Sequence, residues 1–312
     1  MLVDIQNLHT YFHTDEGVVK SIQGVTFSIP DHATTCLVGE SGSGKSVTAL
    51  SMMGLLPKNQ GEVVEGHIYF QGQDLLELSP NQWREIRGKE MAMIFQEPMT
   101  SLNPALTIGY QIQEALRIGQ KMGKQQAQER ALDLVKMVDL PRPERMLKAY
   151  PHELSGGQRQ RVMIAMGLAN KPKLLIADEP TTALDVTIQA QVLGLLNQLK
   201  EKTGTAILLI THDLGVVAEM ADYVVVMFHG RVVERGTVFE IFDHPAHPYT
   251  KALLAARPTI KIGPDSIESN VESVKVEVSQ EEINQEEAFE EIVLSDTHRV
   301  SRFANHLEVD HD

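Results

Sequence analysis

Residues 39–46 read Gly-Glu-Ser-Gly-Ser-Gly-Lys-Ser, which fits the phosphate-loop pattern GxxxxGK[ST], and that pattern admits few folds. It requires a strand that ends in a glycine-rich turn opening directly into a helix, so that backbone N–H groups and the helix N-terminus converge on an anion. The flanks supply both elements. Residues 34–38 (TTCLV) are short, apolar and β-rich, and residues 46–55 have helical composition. Gly39, Glu40, Ser41, Gly42, Ser43, Gly44, Lys45, Ser46 and Val47 are therefore candidates for a nucleotide site. Lys45 is expected to reach the β/γ-phosphates and Ser46 to ligate Mg²⁺.

Further candidates lie downstream. In residues 174–179 (LLIADE) four apolar residues precede two acids. Asp178 is expected at the C-terminal end of a buried strand beside the phosphate loop, holding the Mg²⁺ shell, and Glu179 next to it can polarise an attacking water. Gln96 ends the apolar strand 91–95 and introduces the proline-bracketed loop 97–104. A neutral amide there can contact Mg²⁺ and water and then withdraw without leaving an unpaired charge, although such a residue alone is an ordinary loop glutamine. His212 ends the apolar strand 206–211 at the same sheet edge, where a neutral imidazole can touch the γ-phosphate; a lone histidine is as often structural. Ser155, Gly156, Gly157 and Gln158 open a helix and form a second anion site. One nucleotide does not need two such sites from one subunit, so a head-to-tail pair is expected.

The chain has 312 residues, 42% of them hydrophobic, enough for one large domain with an appendage or two modest ones. Residues 261–312 carry 14 acidic and 4 basic side chains, so most of the net charge of −14 belongs to the tail. No part has the basic surplus that nucleic-acid binding by charge requires. The longest apolar stretches fall short of the ~20 residues that span a bilayer, and no basic, apolar leader opens the chain. With Cys36 as the sole cysteine, an intrachain disulfide and a cysteine metal cluster are excluded; Cys36 reads as a buried strand residue.

Residues 1–30 alternate apolar and polar positions and predict an antiparallel β layer ahead of the phosphate loop. Residues 77–150 predict a mostly helical insert. From residue 155 helices and apolar strands alternate, which implies a parallel sheet wrapped by helices, followed by strands near 223–234 and a short helix pair through Phe239 and Leu254. Residues 261–280 read as a linker and 281–312 as a weakly ordered acidic tail, with an amphipathic turn around Ile283, Phe289 and Ile292.

These motifs, in this order, resemble the ATP-binding subunit of an ABC transporter: phosphate loop 39–46, Gln96 of the Q-loop, LSGGQ at 154–158, Asp178 and Glu179, the D-loop at 183–185, and His212. The resemblance implies an α/β fold, a P-loop NTPase core of ABC type with a mostly parallel sheet flanked by helices, an antiparallel β subdomain and a helical subdomain at about 77–170. It implies one nucleotide-binding domain over 1–260 and a partly disordered acidic extension over 261–312. By the family pattern Phe12 stacks on adenine, with Tyr11 as the competitor. Residues 95–104 (FQEPMTSLNP), 182–191 (TALDVTIQAQ) and 247–254 (HPYTKALL) are similar to the dipeptide/oligopeptide (and nickel) importer ATPases. That likeness implies ATP and Mg²⁺, turnover energising uptake of di-/oligopeptides, and a second, related ATPase subunit. It also implies two transmembrane permease subunits, an extracytoplasmic solute-binding protein acting indirectly, and a place at the cytoplasmic face of the cell membrane. Many members continue into a cysteine-rich segment proposed to hold an iron–sulfur cluster. This tail has no cysteine, so no iron–sulfur cluster is expected, and His244 and His247 read as turn residues before a helix rather than metal ligands.

Overall fold

The computed structural model describes residues 1–96, 101–182, 184–256 and 290–302. Strands β1 (Val3–Thr14) and β2 (Gly17–Ile29) form an antiparallel hairpin, and β4 (Gly61–Phe70) pairs antiparallel with β1 on its other side. With the short β5 (Gln73–Asp74) they make a four-stranded layer in the order β2-β1-β4-β5.

The second sheet is built around β3 (Thr34–Val38), which pairs in parallel with β8 (Ala206–Ile210) and β9 (Tyr223–Phe228). Parallel pairing continues from β8 through β7 (Leu174–Asp178) to β6 (Met91–Ile94). Strands β3, β7 and β8 are buried along their whole length, as expected of parallel strands covered on both faces. Their side chains alternate between two cores, because successive strand residues point to opposite faces. Cys36, Leu175, Ala177, Ile207 and Leu209 face the helical side. Leu37, Leu174, Ile176, Leu208 and Ile210 face the antiparallel layer, packing with Ile5, Phe27 and Met52.

Helix α1 (Lys45–Met52) follows β3 directly through the phosphate loop, and α2 (Pro80–Ile86) starts at a capping box between Ser79 and Gln82. Beyond β6, α3 (Ile108–Gln120) is capped by Thr107 and buries Ile108, Ile112 and Leu116, one face of a helix at four-residue spacing. It packs on α4 (Lys124–Met137), then α5 (Pro143–Met146) and α6 (Gly156–Gly167) complete this helical region. Helix α7 (Val186–Thr203) is capped by Asp185 and stops at Gly204, which has φ of +68°. Helix α8 (Leu214–Met220) then leads into β9.

The C-terminal part departs from the sequence expectation. After β10 (Arg231–Thr237), α9 (Val238–Asp243) and α10 (Pro248–Ala255), residues Glu290–Val293 and Arg299–Arg302 form strands β11 and β12. These extend the main sheet as β11-β12-β10-β9-β3-β8-β7-β6, where a weakly ordered tail with an amphipathic turn at Ile292 was expected. Ile283, Phe289 and the linker 261–280 lie outside the described residues. Tertiary contacts overrode the weak local pattern. Val300 is buried, Arg235 pairs with Glu291 at 2.7 Å, and the Ser295 and Thr297 hydroxyls donate to the Glu240 carboxylate. Burial opposes ionisation of Glu240, but these bonds and those from Thr237 outweigh it and hold the carboxyl at about 2.

Glu234 of β10 is fully buried and accepts from the backbone N–H groups of Ala246 and His247, with His298 of the hairpin 2.7 Å away. The imidazole of His247 caps α10 by accepting the Tyr249 N–H at Nδ1, so its neutral form is the one the fold uses. Burial pulls His247 down to about 4, with the Glu234 charge opposing. The unfolded chain takes up this proton near 6.5 and the folded protein only near 4, so the unfolded state binds more protons between these values. The stabilisation from neutral His247 is thus complete above pH 6.5 and lost as pH falls, about 3 kcal/mol by pH 4. Urea titrations at pH 7 and pH 4.5 should show a smaller stability difference in His247→Asn than in the wild type; equal differences exclude His247 as the source.

Candidate functional site

Local backbone conformation shapes the phosphate loop. Gly39, Gly42 and Gly44 have φ of +148°, +83° and +101°, a region L-residues seldom enter. At Gly39 space is limiting too, since a Cβ would lie 2.1 Å from the Met227 carbonyl oxygen, whereas at Gly42 nothing lies within 4 Å. We expect Gly39→Ala to lower stability by more than the roughly 1–3 kcal/mol of backbone strain alone. Gly42→Ala should show the strain only. Chemical denaturation of both variants checks the order, and a milder Gly39→Ala would show that the Met227 backbone yields.

Lys45, the first residue of α1, is buried, and its ammonium donates to the Gly39 and Glu40 carbonyls at 2.8 and 2.7 Å. Burial lowers its pKa, opposed by the charges of Glu179, Asp178 and Glu40. Within hydrogen-bond reach its partners among the described residues are neutral, so the cradle suits an incoming polyphosphate. The Ser46 hydroxyl donates to the Asp178 carboxylate at 3.1 Å. Asp178 is raised by burial, an effect the Ser46 bond opposes and the neighbouring Glu179 charge reinforces. A hydroxyl and a carboxylate oxygen at this spacing are hard donors of the kind Mg²⁺ takes. Val47 packs partly buried toward the core beneath the antiparallel layer.

Glu179 stands just past the end of β7 with φ of +46°, a left-handed turn in a non-glycine residue. That turn points its carboxylate at the ends of neighbouring strands. Gln96 Nε2 donates to Oε2 at 3.1 Å, the Thr182 hydroxyl donates to the same oxygen at 2.8 Å, and His212 Nδ1 lies 3.2 Å from Oε1. Burial opposes ionisation of Glu179, but the bonds from Thr182 and His212, with the charges of His212 and Lys45, hold its carboxyl below the usual value. An ionised carboxylate is the form a general base needs. The structure thus brings Gln96, Glu179 and His212, read separately from three strand ends, into one cluster. Thr182 was missed in the sequence; its signal was a hydroxyl three residues beyond an acid at a strand end.

Ser155–Gln158 lie apart from this cluster. Ser155 and Gln158 cap their own helix reciprocally, with Ser155 and Gly156 exposed. Gly157 admits α7, since a Cβ there would meet Ile188 at 2.6 Å. Helix α6 packs on β6, α3, α4 and α7, whereas α1 packs on β2 and β7. Phe12 pairs with Gly61 of β4 and lies over it, while the Lys20 ammonium sits 5.7 Å from the Tyr11 ring centroid. Ala183 of the D-loop and residues 97–100 after Gln96 lie outside the described residues.

The family model described as ABC transporter matches residues 22–182. The chain belongs to the ABC transporter family. A second model, the oligopeptide/dipeptide transporter C-terminal region, matches residues 233–282. The oligopeptide transport ATP-binding protein AppD of Bacillus subtilis is 55% identical over 259 residues, 83% of this chain and 79% of that protein. The probable peptide ABC transporter ATP-binding protein y4tR of Sinorhizobium fredii is 52% identical over 266 residues, 85% and 79% of the two chains. The solved dimeric ATP-binding cassette MJ0796, bound to ADP and Pi, superposes with a TM-score of 0.67 at 30% identity, covering 76% of this chain and 98% of that one. As an ABC ATPase the protein hydrolyses ATP in support of transport, and its membrane association comes through transmembrane partners. No helix among the described residues is long and apolar enough to cross a membrane.

Proposed function

We propose that the chain is the ATP-hydrolysing subunit of an importer of di- and oligopeptides, with Glu179 as the base that activates the attacking water. The observation that carries this reading is the convergence of Gln96, Thr182 and His212 on the Glu179 carboxylate. Lys45 and the loop N–H groups of residues 39–47 would hold the phosphates, and Phe12 would stack on adenine. Ser46, Asp178 and Gln96 would hold Mg²⁺, which neutralises charge on the phosphate oxygens when bound. The outward-facing Ser155–Gln158 would close over a nucleotide held by a second ATPase subunit, a related but different chain. The nucleotide-binding domain then covers 1–260.

The two permease subunits would dock where the helical region meets the core. A groove of about 380 Å³ beside Gln96 is lined by Met53, Phe95, Ile118, Met163 and Met166 among others, and Ile118 is 69% exposed. Peptide relatives favour a peptide cargo, delivered by an extracytoplasmic binding protein, with this chain at the cytoplasmic face. The test is mass spectrometry of proteins recovered with the N-terminally tagged chain from gently solubilised membranes. Two polytopic subunits and a sibling ATPase are expected; ribosomal or DNA-repair proteins instead would sink the transport reading and leave the ATPase chemistry intact. Ile118→Glu should lose the polytopic subunits yet still bind ATP, because its site lies outside the phosphate loop.

A further inference from the structure

Tyr249, the second residue of α10, is buried with its ring 4.2 Å from that of Phe228, centroid to centroid. Its hydroxyl accepts the backbone N–H of Glu40 at 3.0 Å, across 209 positions of sequence. That N–H belongs to the peptide unit joining Gly39 to Glu40. The carbonyl of the same unit, Gly39 O, accepts the Lys45 ammonium at 2.8 Å. One planar peptide is therefore held at both ends, by Tyr249 on its N–H and by Lys45 on its C=O. Gly39 has the conformational freedom to let such a peptide turn, so its orientation depends on what its two polar ends meet.

We propose that Tyr249 is a positioning residue for the phosphate loop: its hydroxyl fixes the Gly39–Glu40 peptide, and that peptide's carbonyl aims the Lys45 ammonium. The inference rests on the reading of residues 39–46 as the nucleotide loop. Tyr249 is itself braced from behind. The His247 imidazole accepts its N–H at 3.1 Å, and Glu234 grips the Ala246 and His247 N–H groups. His298, from the C-terminal hairpin, lies against the same Glu234 carboxylate. A chain of contacts thus runs from His298, at the start of the β12 arm of the hairpin, to the phosphate loop. Burial pushes the Tyr249 hydroxyl up to about 12, so it stays neutral at physiological pH.

Tyr249→Phe removes the hydroxyl and keeps the ring on Phe228. In the full chain, titrated with a fluorescent MANT-ATP and Mg²⁺ well below the melting temperature, we expect affinity to fall about 5- to 20-fold, the order set by an amide left without its acceptor. In the assembled transporter, KM should rise by a similar factor with kcat within about twofold. A purely structural tyrosine would lower the melting temperature and leave the affinity of the folded protein unchanged, and affinity within twofold of wild type overturns the proposal. Hydrogen exchange of the wild-type loop decides the matter independently of any variant: a protected Glu40 amide is expected, and exchange at the rate of an open loop overturns it. Lys45→Ala separates the two levels, because an unchanged MANT-ATP affinity in that variant refutes the nucleotide-loop reading itself rather than the role of Tyr249.

Discussion

Replacing Glu179 by glutamine is expected to stop ATP turnover while ATP stays bound. The substitution keeps the size of the side chain and an oxygen that can accept from Thr182 or Gln96, but it removes the negative charge to which the water would pass its proton. The phosphate cradle, built from residues 39–47, is untouched, so binding should persist. Loss of a general base costs about 10²–10⁴-fold in rate, and here the same carboxylate also organises Gln96, Thr182 and His212, so the upper end is expected. Phosphate release by the assembled complex and size-exclusion chromatography with ATP are the measurements. Turnover should vanish and a closed, ATP-bound pair should accumulate, because bound nucleotide favours the closed state and hydrolysis is what reopens it. Substantial hydrolysis by the variant in the assembled complex would remove Glu179 from the role of base.

Lys45→Ala is expected to abolish turnover for a different reason. In the free protein the ammonium is parked on the Gly39 and Glu40 carbonyls, neutral partners that a polyphosphate outcompetes. A charge-assisted contact of this kind contributes about 1.5–3 kcal/mol, which corresponds to roughly 10- to 150-fold in nucleotide affinity. The two variants therefore separate in an equilibrium titration: Glu179→Gln retains ATP and Lys45→Ala does not hold it productively. Equal affinity of Lys45→Ala and wild type would refute the reading of residues 39–46 as the nucleotide loop.

The parts of this protein legible in sequence are those in which the physical cause is local. Three glycines and a lysine at fixed spacing dictate the phosphate loop, because positive φ angles and a helix N-terminus are properties of consecutive residues. Short, largely apolar runs marked β3, β7 and β8 as strands of a sheet wrapped by helices, and the acid or imidazole just beyond a run marked a strand end. The acidic tail shows the limit. Its residues carry little periodicity, and β11 and β12 exist because β10 offers an edge and because Glu234 and Glu240 need partners.

Sequence by itself marked the cassette: which loop has the glycine and lysine spacing of a phosphate loop, which acids end the strand expected beside it, and which residues open a second helix N-terminus. Tertiary structure alone decided which side chains meet across the ends of different strands. Gln96 and His212 reach Glu179 because β6 and β8 flank β7 in the sheet, and Tyr249 reaches Glu40 because β9 and β10 carry the chain back past the loop. Contacts of that kind depend on strand register and order, which are set by packing over the whole sheet and leave no trace in the spacing of neighbouring residues.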